Sequence, residues 1–134
     1  MGRMGKIPVI LIDTNVLLFS MLERSRLTAK AVEALERADE ILVSSISIWE
    51  IGIKNQKGKL PLPFSLEEMI YHLESVENLT IVPIDARIWL KNIALEWDHR
   101  DSADRTIVAT ALLKGVLIVT ADRYIRDFYS RIIW

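Results

Sequence analysis

Pro8-Val9-Ile10-Leu11-Ile12-Asp13 decides the fold. An apolar run this short, stopping on a carboxylate, reads as a buried strand with an acid at its carboxyl end. A second run of the same kind, Val116-Leu117-Ile118-Val119, is followed after Thr120 and Ala121 by Asp122. Between them the pattern alternates. Residues 16–22 and 28–38 have helical spacing, the latter through Ala31, Val32, Leu35 and Ala38, and residues 41–43 form a short strand. Ser45 is placed to cap a helix to about Lys57, ended by Gly58. Ser65-Leu66-Glu67-Glu68 is a capping-box signature for a helix through about Val76. Residues 79–82 are a strand, Asp85 caps a helix to about Leu95, and residues 102–114 form a helix closed by Gly115. A last helix at 122–129 and a terminal strand at 131–134 complete the chain. Alternating strands and helices with apolar strands specify an α/β fold, a parallel sheet covered by helices.

The 134 residues suit one domain spanning 1–134, and a chain 51% hydrophobic and 26% charged has material for a packed core. The longest mostly apolar stretch, 107–119, is interrupted by Lys114 and too short to cross a bilayer. Residues 1–6 are basic, but the apolar run behind them leads straight into Asp13, a poor secretory signal. With no cysteine, disulfides and thiolate metal sites are excluded. A cytoplasmic protein without membrane contact is expected. The net charge of −1 argues at first against a nucleic-acid partner. Setting aside the four carboxylates discussed next leaves the remainder at +3, which permits one.

In an open parallel sheet, ligands bind in the crevice at the carboxyl ends of the strands, where Asp13 and Asp122 fall. Each is equally well placed to cap the helix that follows it. Glu50 is in line with Ile46 and Ile53, beside Trp49, on the apolar stripe of its helix. A buried carboxylate there must be paired, protonated or metal-bound; Lys54 and Arg105 are the salt-bridge candidates. Asp104 aligns with Val108 and Ala111, while Asp101, one turn earlier, is the natural cap. Four acids gathered at one crevice would repel and raise one another's pKa values unless a cation sat between them. Without cysteine, and with two histidines, an oxygen-rich site suits Mg²⁺ or Mn²⁺. Such ions activate water and stabilise a phosphodiester's leaving oxygen. No Gly-rich phosphate loop is present, which favours phosphodiester hydrolysis over nucleoside-triphosphate chemistry.

Five segments carry a family likeness: Ile10-Leu11-Ile12-Asp13-Thr14-Asn15, Ser45-Ile46-Ser47-Ile48-Trp49-Glu50-Ile51, His99-Arg100-Asp101-Ser102-Ala103-Asp104-Arg105, Thr106-Ile107-Val108-Ala109-Thr110-Ala111 and Leu117-Ile118-Val119-Thr120-Ala121-Asp122. In order and spacing, from about residue 8 onward, the chain resembles the PIN-domain superfamily, and within it the VapC-type toxins of toxin–antitoxin pairs. The resemblance implies a three-layer α/β PIN-like domain and a Mg²⁺- or Mn²⁺-dependent endoribonuclease. Asp13, Glu50, Asp104 and Asp122 match its metal-binding acidic quartet. Asp101 matches a further acid, and Asn15 and Thr120 match polar positions that support the acids. Ser102 departs from the proline common at that position in the subgroup, and either residue can begin a helix. An RNA substrate, a VapB-type antitoxin whose tail enters the groove, and a homodimer are the implied partners.

Lys54, Lys57 and Lys59 either guide an RNA backbone or favour the end of their helix. Arg105 and Arg123 either contact phosphate or neutralise the adjacent acids. His99 is a conceivable proton shuttle or a plain surface residue, and the four tryptophans read as core or interface anchors. Two other functions compete. One is a non-catalytic PIN-like module binding metal or RNA. The other is a phosphoacceptor domain, which leaves Glu50 and Asp104 without a role.

Overall fold

A computed structural model describes residues 7–134, so the basic stretch at 1–6 lies outside the described residues. Strands β1 (Ile7–Ile12), β2 (Ala38–Ser44), β3 (Leu79–Val82), β4 (Leu117–Val119) and β5 (Ile132–Ile133) form one sheet in the order β3-β2-β1-β4-β5. Every pairing is parallel. The helices are α1 (Thr14–Leu22), α2 (Ala29–Arg37), α3 (Ser45–Gln56), α4 (Leu66–Ser75), α5 (Ala86–Ala94), α6 (Ser102–Lys114) and α7 (Arg123–Phe128), with a 3-10 turn at Arg24–Arg26.

The central strands β1, β2 and β4 are buried on both faces toward their carboxyl ends, which is why they read there as continuous apolar runs. Ile10 and Ile12 of β1, with Ile41, Val43 and Val119, pack against Leu17, Ala31, Ala34, Met69 and Leu73 from α1, α2 and α4. The alternate residues Leu11, Leu42 and Ile118 face Ile88, Ile107, Val108 and Ile125 from α5, α6 and α7. This is the expected α/β arrangement of three layers. The register Leu11 beside Leu42 and Ile118 is held by both clusters, since slipping one residue would send every side chain to the opposite face. Each large aliphatic buried this way contributes roughly 1.5–3 kcal/mol.

The chain order changes direction at β1. From there β2 and β3 build to one side, while β4 and β5 return on the other. Such a reversal opens a crevice at the carboxyl ends of the two central strands.

Several boundaries differ from the sequence reading: α1 begins at Thr14 and not at residue 16, and β2 runs Ala38–Ser44 where the sequence predicts residues 41–43, taking Ala38 from the helix read there. Ser44, not Ser45, caps α3: its backbone is still extended and its side chain accepts from the Ile46 N–H at 3.2 Å. The helix therefore starts one residue earlier than a cap at Ser45 implies. The terminal strand shrinks from residues 131–134 to Ile132–Ile133. Arg131 still accepts from the Ile118 N–H of β4 at 2.9 Å, and its side chain donates to the Gly115 carbonyl at 2.6 Å. Gly115 holds the left-handed conformation that ends α6, at φ 66°, where a side chain would be strained. Among the described residues, no helix is long and apolar enough to cross a membrane.

Candidate active site

Asp13 follows β1 directly and is 3% exposed. Its Oδ1 accepts from the Val16 N–H at 2.8 Å, capping α1, and its Oδ2 accepts from the Thr120 hydroxyl. Thr120 in turn accepts from the Asp122 N–H at 2.9 Å, and Asp122 caps α7 by accepting from Ile125 at 3.0 Å. Each acid thus caps its helix with one oxygen. The capping role read from sequence is therefore present, and it leaves the second oxygen of each carboxylate outside the cap. Thr120, completely buried, joins the two acids across the β1–β4 crevice.

Asp104 sits in the first turn of α6, which Asp101 caps by accepting from the Asp104 N–H at 2.8 Å. His99 Nε2 lies 2.7 Å from Asp104 Oδ2. Glu50, on α3, is paired at 3.5 Å with Lys54, one turn along the same helix. The salt bridge anticipated as its bland role therefore exists. Its lysine is half-exposed, however, and an i,i+4 pair of that kind is worth only about 0.3–0.5 kcal/mol, so it opens readily. The apolar stripe expected to carry Glu50 into the core is corrected: the buried face of α3 is Ile46, Ser47 and Ile51. Trp49 is 60% exposed, and Glu50 lies at the margin.

The electrostatics tie the acids together. Burial pushes the Asp13 carboxyl up to about 6, against the hydrogen bonds from Thr120 and Val16, and the charges of Asp122 and Glu50 add to the rise. Burial likewise raises Asp104 to about 6, with His99 pulling down and Asp101 and Asp122 pushing up. The charge of Asp122 acts on both, and that of Glu50 on Asp13. Among the described residues no three ligating groups converge closely enough to form a ready metal shell. The donor chemistry nonetheless fits a hard divalent cation. All four acids offer carboxylate oxygen, and two of them are desolvated at an energetic cost that a cation would offset.

The supporting residues divide. Thr120 bonds to Asp13 as the family pattern implies, whereas Asn15 is exposed on the first turn of α1 and bonds to none of the acids. The buried hydroxyls of Thr14 and Ser47, 2.8 Å apart, instead fasten α1 to α3. Neither was singled out from sequence, although Ser47 interrupts the apolar face of α3. Lys54, Lys57, Lys59 and Arg123 are exposed.

Arg105 turns inward to the 92–99 segment. Its guanidinium donates to the backbone carbonyls of Asn92, Leu95, Trp97 and His99 at 2.5–3.1 Å. That occupies it with folding the segment that carries His99. A cavity of about 660 Å³ lies elsewhere, lined by apolar residues such as Leu17, Met21, Phe64 and Met69 and by none of the four acids.

With this geometry in hand, similarity to known proteins is informative. The family model described as PIN domain matches residues 10–130. Ribonuclease VapC22 of Mycobacterium tuberculosis is 31% identical over 119 residues, covering 88% of this chain and 90% of that protein. Among solved structures, a toxin–antitoxin complex from Klebsiella pneumoniae superposes with TM-score 0.67 at 21% identity, covering 93% of this chain and 96% of its counterpart. VapBC2 from Rickettsia felis, bound to a DNA fragment from its promoter, gives 0.64 at 17% identity, with 92% and 96% covered. The chain belongs to the PIN domain family and, within it, resembles the VapC ribonucleases.

Proposed function

We propose that this chain is a metal-dependent endoribonuclease, the toxin component of a toxin–antitoxin pair, acting in the cytoplasm as one PIN-like domain that forms a homodimer. The observation that carries the reading is the bridging of Asp13 and Asp122 by Thr120 at the strand ends, with the charge of Asp122 also reaching Asp104 and that of Glu50 reaching Asp13. The similarity to a ribonuclease supports the substrate, and the likeness to toxin–antitoxin assemblies supports an antitoxin partner.

Mg²⁺ or Mn²⁺, when bound, would supply an activated water and charge stabilisation for the leaving oxygen. Asp13, Asp104 and Asp122 would hold the ion, and Glu50 would bind it or orient the water. Thr120 keeps Asp13 and Asp122 in register, and His99 fixes the rotamer of Asp104. Lys54, Lys57, Lys59 and Arg123 would draw the RNA backbone in, and Arg105 holds the loop behind the site. Cleavage leaves a 3′-hydroxyl and a 5′-phosphate. The test is Asp104→Asn, which removes a charge at nearly constant shape. The variant should melt as a folded protein and cleave no RNA; full activity would move the site elsewhere.

A further inference from the structure

Four aromatic rings stand in a row beside the acids. Phe128 stacks on Trp97 with centroids 4.5 Å apart and planes 10° apart, and Tyr124 stacks on His99 at 4.7 Å and 7°. Trp97 and His99 meet at 4.8 Å with a tilt of 44°, which joins the two stacks. Tyr124 and Phe128 are one turn apart on α7, so one helix face meets two rings of the loop before α6. Arg105 holds the carbonyls of Trp97 and His99, which makes the loop a fixed support.

The row differs from core packing at its outer end. Tyr124 is 62% exposed although one face of its ring lies on His99, so the opposite face opens to solvent. That open face is two contacts from the candidate metal-binding carboxylates: Tyr124 stacks on His99, and His99 bonds to Asp104. Arg100 and Arg123, both exposed, are the chain neighbours of the stacked pair.

We infer that Tyr124, backed by His99, is a stacking platform for an unpaired base of single-stranded RNA, next to the phosphate that the acids receive. This rests on the ribonuclease reading and adds to it a residue that contacts the base. A base inside a duplex has both faces covered, whereas one in a loop or single strand can lie on an aromatic ring. The platform is assembled before RNA arrives, so little ordering opposes binding. Stacking accepts any base, so the site selects unpaired RNA and not a particular letter.

The test measures binding on a Glu50→Gln background, which removes cleavage under the ribonuclease reading without touching the ring stack. The probes are a short fluorescent oligoadenylate and a strand of equal length built from abasic residues, compared by anisotropy in Mg²⁺. The base-bearing strand should bind about 5- to 100-fold more tightly. Adding Tyr124→Leu, which still covers His99 but has no aromatic face, should erase that preference, and Tyr124→Phe should keep it. A preference that survives Tyr124→Leu, or equal binding of both strands by the Glu50→Gln parent, overturns the platform and leaves the ring for a protein contact. Cleavage of RNA by the unaltered protein is read separately. No cleavage with the base preference intact contradicts the nuclease and spares the platform; cleavage without the preference does the reverse.

Discussion

The Thr120 hydroxyl donates to Asp13 from 107 residues away in the chain, and so locks the carboxyl end of β4 to that of β1. Both partners are buried, and the same hydroxyl receives the Asp122 N–H. One side chain therefore sets the spacing of two candidate ligands.

Thr120→Val keeps the shape and deletes the hydroxyl. Asp13 loses a donor and the Asp122 amide an acceptor, which should cost about 1–3 kcal/mol in urea unfolding. Cleavage should fall further than stability explains, on the order of a hundredfold, because the acids lose their mutual registration. Thr120→Ser should restore both.

Asp13 also makes stability depend on pH. Its carboxyl titrates near 6 in the fold and near its ordinary 3.8 when unfolded, so between those values the folded chain holds the extra proton. Stability of the metal-free protein should therefore fall as pH rises from about 4 to above 6, and Asp104, shifted the same way, adds to the trend. Asp13→Asn should stabilise the metal-free protein at pH 7.5 by up to about 3 kcal/mol, the full value of a two-unit shift, while abolishing cleavage. At pH 4 the gain should vanish. Urea midpoints at the two pH values decide it, and a gain equal at both would contradict the burial argument.

Arg105 should matter through folding. Removing a guanidinium that serves four carbonyls leaves them without their donor, so Arg105→Met should lower stability by at least about 3 kcal/mol and loosen the 92–99 segment. Arg105→Lys should rescue little, since an ammonium cannot reproduce the planar fork. Hydrogen exchange across the segment would report the loosening directly.

Lys54 should behave oppositely. Lys54→Ala should change stability by less than about 0.5 kcal/mol, as expected for an i,i+4 pair whose lysine is half-exposed, yet weaken RNA binding and reduce its salt dependence by about one phosphate contact.

The α/β class, the strand-end acids and the capping box at Ser65 were legible because strands buried on both faces and helix starts leave local marks. The choice between cap and site role for Asp13 and Asp122 was not legible, because capping uses one carboxylate oxygen of each and so does not exclude the second role. His99 and Arg105 were underread for another reason. Their partners are Asp104 and four loop carbonyls, and no periodicity announces a contact between a loop and a helix start. Trp49 shows the converse error, since an aromatic on an apparent apolar stripe is exposed at the edge of α3.

Cleavage of RNA by purified, antitoxin-free protein in Mg²⁺ or Mn²⁺, against EDTA and beside Asp13→Asn, tests the central claim most directly. Cutting should need the metal, stop in EDTA and be lost in Asp13→Asn, with 5′-phosphate ends on the products. Cutting that persists in EDTA or in a folded Asp13→Asn variant would contradict that claim.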